Sequence, residues 1–190
     1  DLEEINSFLE LKNENVLFYF HGIQSNDIFN QKYALNRLEK INNADATVSV
    51  IWKSKSWVYT SAWKKSIHQG EEIADLIESV IVNYDKTSLL CHSMGHRLLE
   101  GIYIKKNQKF DKIFFAAPDL DMNVFEKNLK NLPDNCNKLF IYTNTEDKML
   151  KLSKMAHRKE RLGLNIDEHI KELDDFENVL IIDVTNSYGA

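Results

Sequence analysis

The run Cys91-His92-Ser93-Met94-Gly95 joins a short apolar segment, Ser88 to Cys91, to a helical pattern that opens at Arg97. A serine at a sharp strand-to-helix turn occupies a strained backbone conformation, so the residues two before and two after it must be small. Gly95 meets the second demand; Cys91, standing where G-x-S-x-G has glycine, meets the first more loosely. A hydroxyl carried by such a turn stands clear of the sheet, and the Met94 N–H, at the positive end of the new helix, faces the place where an oxyanion would develop. Serine is also a favoured helix N-cap. What favours the nucleophile here is the set of further parts around it.

The segment Phe18-Tyr19-Phe20-His21-Gly22-Ile23 ends an early apolar run in a histidine-glycine pair. Gly22 permits a tight turn and close backbone approach, which makes the Ile23 N–H the natural second oxyanion donor. His21 is expected to bond loop backbone rather than act as a base. A carboxylate must hold the base histidine's tautomer, and a loop following a strand after the serine is its expected place. The run Lys138 to Tyr142 continues into Thr143-Asn144-Thr145-Glu146-Asp147, so Asp147 is the first candidate, with helix N-cap as its alternative role. Asp119 and Asp121, after Pro118, rank second. The base should follow the last apolar run, Val179 to Val184, yet Thr185 to Ala190 contains no histidine. His92 and His96 belong to the turn and helix, His68 precedes a helix, His157 follows Asp147, and His169 flanks an apolar face. Either the sequence stops short of its histidine or Asn186 stands in its place.

The elements that would position these groups are legible as periodicity. Val16 to Phe20, Thr47 to Trp52, Ser88 to Cys91, Lys112 to Ala117, Lys138 to Tyr142 and Val179 to Val184 read as strands. Their near-continuous hydrophobicity suits strands covered on both faces, hence a parallel sheet. Between them Ile73, Leu76, Ile77, Val80 and Ile81 recur at helical spacing, as do Leu98, Leu99 and Ile102, and Ile166, Ile170 and Leu173. The alternation implies a three-layer α/β/α sandwich with a mostly parallel, doubly wound sheet and ligands at the strands' carboxyl ends. Between Asp119 and Lys138 there is room for a short helix, Val124 to Leu129, but not for a large lid.

Composition narrows the partners. A formal charge of −5 and a pI near 5.7, with lysines interspersed among carboxylates, give no general attraction to nucleic acid or anionic lipid. Two cysteines, Cys91 and Cys136, show no metal-ligand spacing and no disulfide framework, which fits a reducing, cytoplasmic setting. No apolar run is long enough to span a bilayer. Trp52, Trp57, Tyr59 and Trp63 gather after the second strand, where they serve either core packing or a substrate pocket.

Taken together, F-Y-F-H-G-I, C-H-S-M-G-H-R-L-L, F-F-A-A-P-D-L-D-M-N-V-F and I-Y-T-N-T-E-D-K-M-L-K-L-S resemble the bacterial α/β-hydrolases grouped as domain of unknown function 900. The resemblance runs from about Val16 to Tyr188. It implies an α/β-hydrolase fold with a minimal lid, Ser93 as nucleophile and Asp147 as acid. Trp52-Lys53 resembles a W-P-S motif with lysine for proline. Asn186-Ser187-Tyr188 is similar to a terminal H-S-Y with asparagine for histidine. The expectation is one α/β-hydrolase-like domain over residues 1–190, with truncation at the C-terminus as the alternative to replacement of the histidine by Asn186. Its activity would be a serine hydrolase acting on a small or acyl ester, thioester or amide, with no metal or cofactor. The alternative is an inactive fold kept as a binding module for a protein or acyl-like ligand.

Overall fold

The computed structural model describes residues 15–23, 27–41, 43–54, 59–82, 84–106, 108–164, 173 and 176–187. Six strands among them form one sheet: β1 (Asn15–Phe20), β2 (Ala46–Val50), β3 (Lys86–His92), β4 (Phe110–Ala116), β5 (Cys136–Thr143) and β6 (Val179–Asp183). Their order is β2-β1-β3-β4-β5-β6, and every neighbouring pair is parallel. The chain passes from β1 to one side, then returns to place β3 on β1's other side. The crevice between the carboxyl ends of β1 and β3 is therefore the topological switch point, the usual place for a ligand in an open parallel sheet.

Helices α1 (Ile28–Ile41), α2 (Tyr59–Ile81), α3 (His96–Lys106) and α5 (Lys148–His157) connect the strands, with a three-residue helix α4 (Met122–Val124) that opens into a π-turn, Phe125–Leu129. The expected helical spacings at 73–81 and 98–102 fall on α2 and α3, whose inward residues Ala74, Ile77, Val80, Leu98, Leu99 and Ile102 are buried. They share one cluster with Leu89, Cys91, Ile113, Phe115, Leu139 and Ile141. Ile166 and Ile170 lie outside the described residues; Leu173 is buried in the cluster.

The expectation of strands buried on both faces holds in β1, where Val16, Leu17 and Phe18 are all buried, and needs correction from β3 to β5. In β3 burial alternates, with Thr87, Leu89 and Cys91 buried and Ser88 and Leu90 only half-buried, and β4 and β5 alternate likewise. The second face of the sheet carries Leu90, Phe114 and Phe140, the two phenylalanines stacked at 4.8 Å. Strand ends also differ from the apolar runs. β2 stops at Val50, so Trp52 lies in the loop after it, and β3 begins two residues early, at Lys86, because ladder hydrogen bonds continue past the apolar residues.

Candidate active site

Ser93 is a non-glycine residue held at φ = 51°, in the left-handed region that usually requires glycine. It opens a 3₁₀ turn, Ser93–Gly95, before α3 begins at His96. The strain is tied down locally. The Ser93 carbonyl accepts from the His96 ring at Nδ1 (2.6 Å) and from the Asp119 N–H (3.3 Å). Met94 is fully buried behind the turn. Gly95 is required by contact: a Cβ there would come within 2.1 Å of the Phe20 carbonyl oxygen, so the turn sits directly on the end of β1.

That close approach brings the first loop alongside the serine. A Cβ at Gly22 would stand 3.0 Å from Ser93 Cβ and 3.2 Å from His92 Nδ1. The Gly22-Ile23 backbone thus runs beside Ser93 at the switch point, with Ile23 half-buried. His21 does bond loop backbone. Its Nδ1–H donates to the Gly22 carbonyl (2.8 Å), and its Nε2 accepts from the Trp52 N–H (3.3 Å). The Trp52 indole N–H donates to the His21 carbonyl (2.8 Å), and the two rings stack at 5.5 Å. Desolvation lowers the His21 pKa, so the neutral ring suits these bonds. Trp52 is buried packing, and Trp63 lies under the Arg97 guanidinium at 4.0 Å, which favours core over pocket for both. Trp57 and the side chain of Tyr59 lie outside the described residues.

The three candidate carboxylates are all engaged. Asp147 caps α5, its Oδ1 accepting from the N–H groups of Met149 (2.9 Å) and Leu150 (3.0 Å). Asp119 is buried, accepts from Ser153 Oγ (2.7 Å) and pairs with Arg161 Nε at 3.3 Å. Asp121 caps α4 through the Asn123 N–H (2.9 Å). The Asp119 network joins the loop after β4 to Arg161-Leu162-Gly163, where Leu162 N–H donates to Leu120 O (2.9 Å) and Gly163 N–H to Pro118 O (3.0 Å). Nothing in the sequence marked Arg161 as its partner. Asp147 differs from these two by facing a trough of about 740 Å³ that runs along the second face of the sheet and is also lined by His92, Ala117, Tyr142 and Asn144. Partial desolvation of the His92 ring lowers its pKa, while the charge of Asp147 acts in the opposite direction. Ser93 does not line this trough. Ala117, at its rim, is a second left-handed residue, with φ = 46°.

Asn186 is exposed in the turn after β6. That turn is fastened to the loop that carries Asp147: the Thr145 N–H donates to Thr185 Oγ1 (3.0 Å), and Val184 N–H donates to Thr143 O (2.8 Å). His157 sits at the last turn of α5, and His169 lies outside the described residues. Among the described residues no group of three or more His, Cys, Asp or Glu could hold a metal ion, and no helix is long and apolar enough to cross a membrane. Both cysteines are free and buried, and burial pushes the Cys136 thiol up to about 12.

A strand, a strained serine and a helix seated on the end of β1 define the site, and the family model for alpha/beta hydrolases of unknown function, DUF900, matches residues 2–188. The chain belongs to this α/β-hydrolase family. No curated protein matches it. Among solved structures, an uncharacterized protein from Bacillus cereus is similar with a TM-score of 0.58 at 15% identity, covering 95% of this chain and 59% of that one. The chain therefore spans about three fifths of that protein's length. A lipase-esterase related protein from Clostridium acetobutylicum (TM-score 0.52, 13% identity) is covered over 90% of this chain and 86% of its own. The siderophore hydrolase EstA from Aspergillus nidulans (TM-score 0.54, 12% identity) is covered over 90% and 74%. At these identities the likeness is one of fold, and it agrees with the three-layer arrangement expected from the strand-helix alternation.

Proposed function

We propose that this DUF900 α/β-hydrolase is a serine hydrolase that cleaves an ester, thioester or amide through an acyl-enzyme on Ser93. The observation that carries the proposal is the left-handed Ser93 at the carboxyl end of β3, packed against Gly22 at the switch point. Ser93 Oγ attacks the carbonyl carbon and its proton passes to a histidine base, which Thr185 to Ala190 do not supply. The Met94 and Ile23 N–H groups receive the oxyanion, and the alcohol, thiol or amine leaves with a proton. Water then attacks the acyl carbon and restores the hydroxyl. Asp147 is the carboxylate that orients the base in this reading, because it follows β5 and its charge acts on His92, the neighbour of Ser93, while Asp119 is committed to Arg161. The substrate class is a small or exposed acyl compound.

A second reading rests on Asn186. Its turn is pinned to the acid loop where a base would stand, and an amide side chain cannot take the serine proton. On that reading the fold is an inactive binding module. A fluorophosphonate probe separates the two. The hydrolase reading expects stoichiometric labelling that disappears in Ser93→Ala. Absence of labelling in the folded protein, together with labelling gained by Asn186→His, would establish the binding module and retire the enzyme.

A further inference from the structure

Helix α5 leaves the acid loop at Asp147 and turns one face inward, with Leu150 and Ser153 buried. Its outward face mixes large apolar side chains with lysines, Lys148 and Lys151 being exposed as well. Met149, Leu152 and Met155 are 70%, 58% and 75% exposed. A soluble surface scatters such residues singly; three on one side of a ten-residue helix form a stripe that calls for an explanation.

The same stretch is the chain's densest run of positive charge. From Lys148 to Lys159 there are five cations, Lys148, Lys151, Lys154, Arg158 and Lys159, and no carboxylate, in a protein whose net charge is −5. Lys151 pairs with Glu146 at 2.9 Å and Lys154 with Glu160 at 2.7 Å, both at exposed positions where such pairs hold weakly. Lys148, Arg158 and Lys159 make no ion pair among the described residues. The overall acidity that argued against anionic partners thus does not hold for α5 and the two cations, Arg158 and Lys159, that follow it.

We propose that the outward face of α5 docks on an anionic lipid surface, burying Met149, Leu152 and Met155 among the acyl chains while the lysines meet the phosphate headgroups. Unbranched apolar side chains flanked by lysines are the composition of an interfacial helix. Protein-protein interfaces are depleted in lysine, which disfavours a protein as the occupant. The helix begins at the sheet rim that carries Ser93, so docking would turn that rim toward the bilayer. The docking does not rest on the serine-hydrolase reading.

The test is co-sedimentation of the full chain with vesicles containing one phosphatidylglycerol for every two phosphatidylcholines, against vesicles of phosphatidylcholine alone. Binding is expected only to the anionic vesicles, weakening as salt is raised. It should fall at least about tenfold both in Leu152→Asp/Met155→Asp and in Lys148→Glu/Lys159→Glu. All four positions are exposed, and circular dichroism melts confirm that the variants remain folded. Ser93→Ala should sediment as the unaltered chain does, so failure of the catalytic reading leaves this result unaffected. Equal binding to both vesicle types, retention of binding by the apolar variant, or association with polyglutamate but not with vesicles would each overturn the proposal.

Discussion

His96 shows how much of the site is decided by a single side chain. Fully buried, it donates Nδ1–H to the Ser93 carbonyl and turns its ring edge-on to Phe115, so it helps hold the left-handed serine in place. Burial, reinforced by the charge of Arg97, lowers its pKa to about 3 despite the bond to Ser93, which acts the other way. In the unfolded chain the ring takes its proton near 6.5, whereas the folded protein resists it until about 3. The unfolded state therefore binds more protons across that window, and stability is full above 6.5 and falls as pH drops below it. His96 alone should cost on the order of 1–2 kcal/mol between pH 7.5 and pH 5. His96→Asn, which keeps a donor without a titrating ring, should reduce the loss by that amount in urea melts at the two pH values. An unchanged loss would mean that the ring takes its proton as readily in the folded state as in the unfolded one. Ser93 was legible because a strained turn dictates the size of its neighbours. His96 was not, since the motif says nothing of which ring nitrogen turns inward.

Elements carry the next layer. Arg97 and Glu100 lie one turn apart on α3, and a charged pair at that spacing reads as a solvated helix face. Instead both are buried: Arg97 Nη1 pairs with Glu100 Oε2 at 2.8 Å under Trp63, and Asn128 Nδ2 donates to Glu100 Oε1 at 2.8 Å. The pair thus links α3 to α2 and to the π-turn after α4. Periodicity located α3 through Leu98, Leu99 and Ile102, but no pattern told which polar residues would be covered by a neighbouring helix. That depends on tertiary placement. Removing one partner leaves a buried charge alone, so Glu100→Leu should destabilise by roughly 3–5 kcal/mol, while Arg97→Met/Glu100→Leu together should recover most of it. Chemical melts of the single and double variants measure this, and additive losses would mean that the two charges do not interact.

At the scale of the whole molecule, among the described residues, the two faces of the sheet are unequal from β3 to β5. The apolar runs correctly indicated parallel strands and their order along the chain, because each is short, rich in β-branched and aromatic residues and followed by a helical pattern. Continuous hydrophobicity could not show that in these three strands one face would be sealed and the other left half-buried, since it encodes the presence of two apolar faces and not what covers each. Leu89 and Leu90 isolate the difference. They are adjacent and chemically identical, yet Leu89 is fully buried within the cluster containing α2 and α3, while Leu90 lines the trough. Leu89→Ala should cost about 3–4 kcal/mol, the lost transfer energy plus a cavity that the packed helices cannot fill. Leu90→Ala removes the same atoms from a site open to solvent and should cost about 1 kcal/mol. Equal losses in urea melts would mean that the trough is filled in solution. The Leu90 variant would then report on whatever fills it.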